Sequence, residues 1–290
     1  MNFGSSQQAA DSVTVRAWNC KQKCVNQSER DRMHRAQKLR SNSTLSRWMI
    51  VLGIVCAGAW LLAAQSVSGG APVSDDSVLL AAFRRVEVAS VSDAIEQLIG
   101  KRMYMSHRMV PISSTKFAGV ARTVQLKKDE GNNDPAALSG MLAAIDEGTA
   151  NSVYVMSVEQ GADIAGMGGL MGTAMAARGY SGAVIDGGVR DVAYLRKIGF
   201  PVYATGIVPS TSVHHYRFAG AQVPIQCDGV TVNPGDIVVA DSDGVAVVPR
   251  ARAAEVLALA EQMDFKEHSM YAVIEKLKSI QEAVKQFGRL

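Results

Sequence analysis

The sequence GYSGAVIDGGVRD, at residues 179–191, decides the fold class of this chain. Its apolar run at residues 183–185 has the length and β-branching of a buried strand. The pair Gly187-Gly188 follows and predicts a tight turn with positive φ, because glycine has no Cβ to clash. Residues 192–198 then repeat apolar side chains at helical spacing until Gly199 ends the helix. The stretch therefore predicts a strand, a turn and a helix of an α/β sheet.

A cation and an anion, Arg190 and Asp191, stand side by side where the predicted helix begins. Open α/β sheets bind ligands at this place, beyond the carboxyl end of a strand. Arginine offers a rigid two-pronged donor for a carboxylate, and aspartate is a ligand for hard metal ions. On residue types alone, a surface ion pair that caps the helix is the alternative.

The rest of the chain after residue 78 alternates helical and strand patterns. Helices are predicted at residues 93–98 (capped by Ser92), 135–147, 162–178 and from 252 to the C-terminus. Strands are predicted at residues 117–126, 152–158 and 201–207, and short strands with hairpin turns, including one at Asp243-Gly244, fill residues 216–249. Helices interleaved with strands and followed by hairpins predict a layered α/β domain.

Charge is distributed unevenly along the 290 residues, of which 48% are hydrophobic and 20% charged. The first 47 residues carry nine Lys or Arg and three Asp or Glu, whereas the remainder has a net charge of −3. A mildly acidic body argues against nucleic acid as a partner, because nucleic-acid binding needs clustered basic charge. The four cysteines are too scattered for a disulfide framework or a zinc finger.

The first 77 residues are unlike the body of the chain. Residues 1–47 are polar and basic, which predicts a disordered tail. Residues 48–64 contain no charged side chain, and residues 65–77 are a linker rich in glycine and small residues. A basic flank before an apolar run is typical of a signal peptide or of a short membrane anchor with its N-terminus inside. We therefore expect an exported or membrane-anchored protein whose domain, residues 78–290, lies outside the cytoplasm. Translation from Met33 would give a signal peptide a basic flank of ordinary length.

Several motifs occur together in one order that resembles a known family. They are the Asp-Gly-Gly-Val-Arg-Asp sequence at 186–191, the segment at 168–171, the loop at 233–244 and, more weakly, residues 119–124. They are similar to the family of the regulator of ribonuclease activity A (RraA) and the 4-hydroxy-4-methyl-2-oxoglutarate aldolases, over about residues 91–278. The resemblance implies an α/β/α sandwich like the swivelling phosphohistidine domains. It also implies homotrimers or hexamers with active sites at subunit clefts.

The chemistry of a pyruvate-like 2-oxo acid suits the charged pair. Arg190 would hold the substrate carboxylate, and Asp191 would anchor Mg²⁺ or Mn²⁺, which would act as a Lewis acid on the 2-oxo group. No lysine lies near the pair, so a Schiff-base aldolase is disfavoured. The resemblance implies retro-aldol cleavage of 4-hydroxy-4-methyl-2-oxoglutarate-type substrates, oxaloacetate decarboxylation, or both, giving pyruvate through an enolate held by the metal.

The glycine-rich segment Gly168-Gly169-Leu170-Met171 would supply backbone N–H donors at a helix start. In the family, backbone amides at the positions of Leu170 and Met171 contact the substrate. Close helix packing is the alternative explanation of these glycines.

Proton transfer needs a further group, and here the chain departs from the family. Family members use a water on the metal together with acidic groups, one of them from the neighbouring subunit's C-terminal region; Glu267 is the matching candidate. Active aldolases of the family have an acidic residue 21 positions before the arginine, where this chain has Gly169. Asp163 is a candidate replacement.

Other polar groups point less clearly to chemistry. His214-His215 looks like a metal pair, but adjacent strand residues point to opposite sides, so an exposed loop with ordinary partners is favoured. Asp241 and Asp243 look like a cation loop but fit a hairpin turn. Residues 132–134 match a family Asp-Asn, although capping of the next helix explains them as well.

Two functions from different classes fit the sequence. The first is a metal-dependent lyase acting on 2-oxo acids through Arg190 and Asp191. The alternative is a non-catalytic RraA-like binding or regulatory protein, as in family members that inhibit ribonuclease E. Gly169 favours the binding protein, whereas the intact charged pair and the expected export favour the enzyme.

Overall fold

The computed structural model describes residues 76–113 and 116–288. The predicted tail (1–47), the hydrophobic segment (48–64) and nearly all of the predicted linker lie outside these residues. Within them, no helix combines the length and apolar character needed to cross a membrane. The first helix begins at Asp76, two residues before the predicted start of the domain.

The described chain alternates helices and strands up to residue 207, then forms hairpins, and ends in two helices. The helices are α1 (Asp76–Phe83), α2 (Val88–Ile99), α3 (Ser139–Asp146), α4 (Gly169–Ala177), α5 (Val192–Ile198), α6 (Ala253–Leu277) and α7 (Ile280–Phe287), with a 3-10 turn at Arg250–Arg252. The strands are β1 (Val110–Ser113), β2 (Phe117–Lys128), β3 (Ser152–Val158), β4 (Ala165–Met167), β5 (Gly182–Val189), β6 (Val202–Ile207), β7 (Tyr216–Ala221), β8 (Ile225–Cys227), β9 (Val230–Val232), β10 (Ile237–Asp241) and β11 (Gly244–Val248).

One mixed sheet of nine strands forms the centre of the domain. Its order is β1-β6-β5-β3-β2-β10-β11, with β4 added beside β5 and β7 beside β2. Strands β2, β3, β5 and β6 are parallel, whereas β1, β7, β10 and β11 pair antiparallel with their neighbours. Crossovers through helices explain the parallel part, and the hairpin β10–β11 explains the antiparallel edge.

The sheet curls until strands far apart in its order come into contact. The rings of Phe117 on β2 and Tyr203 on β6 lie 5.7 Å apart, although two strands separate them in the sheet. The Tyr203 hydroxyl donates a hydrogen bond of 2.6 Å to the backbone carbonyl of Asp241 on β10, one strand further. The inner face therefore encloses an apolar cluster, which the small hairpin β8–β9 completes with Ile225 and Val232.

Helices cover the outer face of the curled sheet. Helices α3, α4 and α5 pack on the parallel part, where Met156 and Met175 are fully buried. Helices α1, α2 and α6 pack on β10 and β11, where Phe83, Ile95 and Val256 are buried. The predicted mixed α/β class is confirmed, but the sheet is nearly closed and barrel-like rather than a flat layer between helices. The likeness to the swivelling phosphohistidine domains stays a prediction.

Three predicted helix starts are wrong, and the helix predicted from residue 252 to the C-terminus breaks at the left-handed Lys278. The predicted helix at 162–178 contains strand β4 before α4 begins, because residues 165–167 pair with the end of β5, a contact with no local sequence signal. The helix predicted from residue 135 begins at Ser139. Helix α2 begins at Val88 rather than after Ser92, because its first amide donates to the distant Asp241 carboxylate, a contact with no local sequence signal.

The turn predicted at Gly187-Gly188 is also wrong, because β5 continues through both glycines to Val189. Neither glycine has a positive φ. Their small size serves close packing instead, since a Cβ at Gly188 would lie 2.3 Å from Val208 Cγ2 and 2.9 Å from the Ile164 carbonyl oxygen. The two glycines that predicted a turn therefore mark a strand with no room for larger side chains.

Asp186, on β5, fixes the β8–β9 hairpin against the curled sheet. Its Oδ2 accepts a hydrogen bond of 2.7 Å from the backbone N–H of Asp228, in the turn between β8 and β9. The buried Asp228 carboxylate in turn accepts hydrogen bonds from Ser106 and Arg108. Burial raises the pKa of Asp186 and outweighs the hydrogen bond from the Asp228 amide, which lowers it; the charge of the Asp228 carboxylate raises the pKa as well.

The glycine pair Gly188 and Gly206 tests the crowding of β5, because the two are neighbours in the sheet. We expect Gly188→Ala to lower the free energy of unfolding by about 1–3 kcal/mol, the usual cost of overpacking. Gly206→Ala is the matched control, since its Cβ would have only one neighbour within 4 Å, at 3.7 Å. Urea unfolding of both variants measures the difference, and equal stabilities would contradict the packing explanation.

The raised pKa of Asp186 predicts a pH-dependent stability. A carboxyl whose folded pKa exceeds its unfolded value, about 3.9, binds more protons when folded, so its contribution to stability falls as the pH rises above that value. Asp186→Asn keeps an acceptor without the charge, and we expect it to be at least as stable as wild type at pH 7, with the advantage shrinking towards pH 4.

Asp186→Ala serves as the comparison because it leaves the Asp228 amide without its acceptor. We expect this variant to lose about 1–3 kcal/mol of unfolding free energy. Urea unfolding between pH 4 and pH 7 measures both variants. An Asn variant that is as unstable as the Ala variant would show that the charge of Asp186 is needed.

Candidate active site

The charged pair follows directly after β5, at its carboxyl end, as predicted. Asp191 is the N-cap of α5 and has a left-handed backbone, with φ 58° and ψ 32°. Aspartate tolerates this conformation better than most residues because its short polar side chain bonds locally. The helix then ends at Gly199, which is also left-handed with φ 66°, again as predicted.

Arg190 and Asp191 lie together and are open to solvent. The Arg190 Nε is 4.0 Å from Asp191 Oδ2, and the two side chains are 47% and 52% exposed. Asp191 Oδ2 accepts a hydrogen bond of 2.9 Å from the backbone N–H of Gly169, at the start of α4. Arg190 Nη1 donates to the backbone carbonyl of Ser210 at 3.2 Å. The pair is therefore held from two sides and remains accessible to a ligand.

The glycines at the start of α4 let both side chains approach the backbone closely. A Cβ at Gly168 would lie 2.8 Å from Asp191 Oδ2 and 3.1 Å from Arg190 Cγ. The Leu170 side chain is 90% exposed, whereas Met171 is buried in the core. The amides of Leu170 and Met171 belong to the first turn of α4, where a helix has no internal acceptor for them. Close packing thus explains Gly168 and Gly169, and donation from the Leu170 and Met171 amides to a substrate stays a prediction.

An open depression of about 500 Å³ lies beside the pair. It is lined by Gly169, Leu170, Thr173, Asp191, Val192, Ala193 and Tyr194. Within it, Tyr194 lies close against residue 169, since a Cβ at Gly169 would lie 3.1 Å from Tyr194 Cδ1. The Thr173 hydroxyl is 3.3 Å from the Tyr194 hydroxyl. A depression with one carboxylate, one guanidinium beside it and apolar walls suits a small organic acid.

Glu267 is not brought to the pair within one chain. It lies on α6, accepts a hydrogen bond of 2.8 Å from the Tyr271 hydroxyl and lines a separate cavity of about 700 Å³ between α2 and α6. The described contacts of Glu267 include neither Arg190 nor Asp191. Its role was predicted for a neighbouring subunit, and that role stays a prediction.

The loop around Asp163 does lie near the pair. The Ser210 hydroxyl donates to the Asp163 carbonyl at 2.8 Å, and the Ser210 backbone carbonyl accepts the hydrogen bond from Arg190 Nη1. The Asp163 side chain is exposed. Ser210, which orients Arg190 through its backbone, was missed in the sequence because a carbonyl contact leaves no residue-type signal.

The weaker candidates have ordinary structural roles. His214 and His215 lie in a turn before β7, where each ring has a partner of its own, the Asn132 carbonyl and the Glu130 carboxylate. The Asp241 carboxylate accepts from two backbone amides, at Val88 and Asp243. The capping predicted for residues 132–134 is wrong because α3 begins only at Ser139; Asp134 instead holds the turn before that helix, where it accepts from the Ala136 amide at 2.8 Å.

Similar proteins are found by sequence. Residues 88–247, more than half of the chain, match the family described as RraA-like: Aldolase/RraA. A protein of Halalkalibacterium halodurans, provisionally named 4-hydroxy-4-methyl-2-oxoglutarate aldolase, is 29% identical over 181 residues, 62% of this chain and 80% of that protein. Protein DlpA of Legionella pneumophila is 32% identical over 170 residues, 58% of this chain but only 27% of that protein.

A solved structure has the same fold. Streptomyces coelicolor RraAS2, described as an unusual member of the RNase ES inhibitor RraA protein family, superposes with a TM-score of 0.59 at 28% identity, covering 69% of this chain and 97% of the other. The family match extends from the start of α2 to β11 and so includes the curled sheet and the charged pair. The chain belongs to the RraA-like family.

Proposed function

We propose that the chain is a divalent-metal-dependent lyase acting on 2-oxo acids. The reaction is oxaloacetate decarboxylation, retro-aldol cleavage of 4-hydroxy-4-methyl-2-oxoglutarate-type substrates, or both, with pyruvate as the common product. The observation that carries the proposal is the exposed Arg190–Asp191 pair, 4.0 Å apart at a strand end beside free helix amides. The aldolase name of the Halalkalibacterium halodurans relative supports it at the level of the family.

The residues at the pair fit Mg²⁺ or Mn²⁺. Asp191 uses Oδ2 for the Gly169 amide, which orients the half-exposed carboxylate and leaves Oδ1 for a ligand. Hard divalent ions are often bound through one or two carboxylates and keep several waters, so one exposed aspartate is sufficient. When bound, such an ion would supply Lewis-acid polarisation of the 2-oxo oxygen.

The chain's own groups would bind and orient the substrate. The Ser210 carbonyl holds one guanidinium nitrogen of Arg190, and the remaining N–H groups would donate to the substrate carboxylate. The first-turn amides of Leu170 and Met171 add donors for the developing negative charge. Both reactions break a bond to C3 and leave the same three-carbon enolate, so one site that holds the 2-oxo acid end can serve both.

Proton transfer separates the two reactions. Retro-aldol cleavage needs a base for the 4-hydroxyl proton, whereas decarboxylation of oxaloacetate removes no such proton. Gly169 offers no acid, and Tyr194 lies close beside it. Decarboxylation is therefore the reaction that this site favours. Asp163, or Glu267 from a neighbouring subunit, would have to act as the base in the retro-aldol reaction.

The remaining expectations belong to the same proposal. The chain would work as a homotrimer or hexamer, because Glu267 would take part in proton transfer at the Arg190–Asp191 site only from a neighbouring subunit. The hydrophobic segment at residues 48–64 would export or anchor it. A non-catalytic binding role is the second candidate, supported by Gly169 and by the similarity to RraAS2 of an inhibitor family.

Removing either charge tests the lyase. We expect Arg190→Ala and Asp191→Asn each to lower kcat/KM for oxaloacetate by about 100-fold, about 3 kcal/mol of transition-state binding, because each removes a charged contact to substrate or metal. Asparagine tolerates the left-handed backbone of residue 191, so the loss would report charge rather than strain. The measurement is pyruvate release with Mg²⁺.

Lys197→Ala is the control, since this exposed cation lies in the last turn of the same helix and should leave activity unchanged. Absence of turnover by the wild type with oxaloacetate and with 4-hydroxy-2-oxo acids would reject the lyase and favour the binding protein.

The departure at Gly169 gives a second prediction. We expect Gly169→Glu to raise the ratio of retro-aldol to decarboxylation rate several-fold over wild type, because it restores an acidic group once Tyr194 shifts by a few tenths of an ångström. Gly169→Ala, which needs the same shift without adding an acid, should leave the ratio unchanged. Equal ratios in both variants would show that the missing acid does not limit the retro-aldol reaction.

A further inference from the structure

Three potential metal ligands meet between the start of α2 and the middle of α6, in a group that we term the α2–α6 cluster. Its members are Glu87, Asp264 and His268, and one ligand atom from each lies within 4.8 Å of those of the other two. Glu87 precedes α2, and the other two lie one helical turn apart on α6. The lyase proposal uses none of them.

Hydrogen bonds orient two members of the cluster, Asp264 and His268. Asp264 Oδ1 accepts from the Glu87 amide at 3.1 Å and from the Ser90 hydroxyl at 3.4 Å, and Asp264 Oδ2 lies 3.5 Å from His268 Nδ1. His268 Nδ1 lies 2.8 Å from the Asp264 backbone carbonyl, which can only accept. The hydrogen is therefore on Nδ1, and in the neutral ring the lone pair is on Nε2. Histidine ligands of metals are typically oriented by such a second-nitrogen hydrogen bond.

The spacing of the cluster fits a shared ion as well as an ion pair. His268 Nε2 and Glu87 Oε1 are 3.5 Å apart. A charge-assisted hydrogen bond would bring them to about 2.7–2.9 Å. Two ligands that each bind one ion at about 2.1 Å with a tetrahedral angle stand about 3.4 Å apart.

The surroundings of the cluster are negative and half open. Glu267, also on α6, adds a third carboxylate to those of Glu87 and Asp264. It accepts a hydrogen bond from the Tyr271 hydroxyl, and the Tyr271 ring lies 5.3 Å from the His268 ring. The hydrogen bond to Asp264 and the nearby carboxylates raise the pKa of His268. Glu87 and His268 side chains are each 47% exposed, so water can reach the cluster.

We propose that Glu87, Asp264 and His268 bind one divalent transition-metal ion, Zn²⁺ by ligand type, with water completing the coordination. One imidazole and two carboxylates suit Zn²⁺, whereas the oxygen-only lyase site suits Mg²⁺. The ion would join α6 to the start of α2 and so fix the part of α6 that carries Glu267.

Zinc titration of the full-length protein tests this proposal. The titration is made with excess Mg²⁺ and in an Asp191→Asn parent, so that Zn²⁺ binding at the lyase site does not contribute to the signal. We expect His268→Gln and Glu87→Gln to weaken the binding of one Zn²⁺ equivalent at least ten-fold and to abolish the rise in Tm that Zn²⁺ causes. His214→Gln is the matched control, because it removes a histidine outside the cluster and should bind Zn²⁺ as the parent does.

Lowering the pH from 8 to 6 should weaken the binding of this Zn²⁺ ion to the parent, because protons compete with the metal for His268. The Glu87→Gln variant guards against misfolding, since the Glu87 amide that binds Asp264 is unaffected by it. Zinc affinity, stoichiometry and Tm that are the same in the parent, Glu87→Gln and His268→Gln would overturn the proposal, as would the absence of any Zn²⁺ equivalent in the parent.

Discussion

The candidate site depends on one hydrogen bond, from the Gly169 amide to Asp191 Oδ2 at 2.9 Å. It joins the start of α4 to the left-handed residue where β5 ends, and it fixes one oxygen of the Asp191 carboxylate while the Asp191 and Arg190 side chains stay about half exposed. The bond can form only because residue 168 lacks a side chain, since a Cβ there would lie 2.8 Å from the same oxygen. The glycines, the left-handed aspartate and the charged pair are thus a single arrangement.

Local signals predicted the elements around this arrangement well. The β-branched run at residues 183–185 in β5, the helical spacing of α5 and the stop at Gly199 are properties of neighbouring residues, and all three predictions are confirmed. The position of Arg190 and Asp191 at a strand end followed from the same kind of signal. What each of the two residues does there, beyond its geometry, stays a prediction.

Predictions failed where distant residues decide the structure. Gly187-Gly188 was predicted as a turn because its crowded neighbours, Val208 and Ile164, cannot be read from adjacent positions. The start of α2 depends on Asp241 and Asp264, more than 150 residues away. The curl of the sheet likewise rests on contacts between β2, β6 and β10, and no periodicity within one strand encodes such a contact.

Binding of oxalate tests the central claim most directly, because this planar dianion has the shape of the pyruvate enolate and needs no turnover to report. Calorimetric titration of the full-length protein should give oxalate binding with Mg²⁺ present, little without it, and a large loss in Asp191→Asn. Oxalate that binds equally well with and without Mg²⁺, or that does not bind under either condition, would contradict a site in which Asp191 holds the metal beside Arg190.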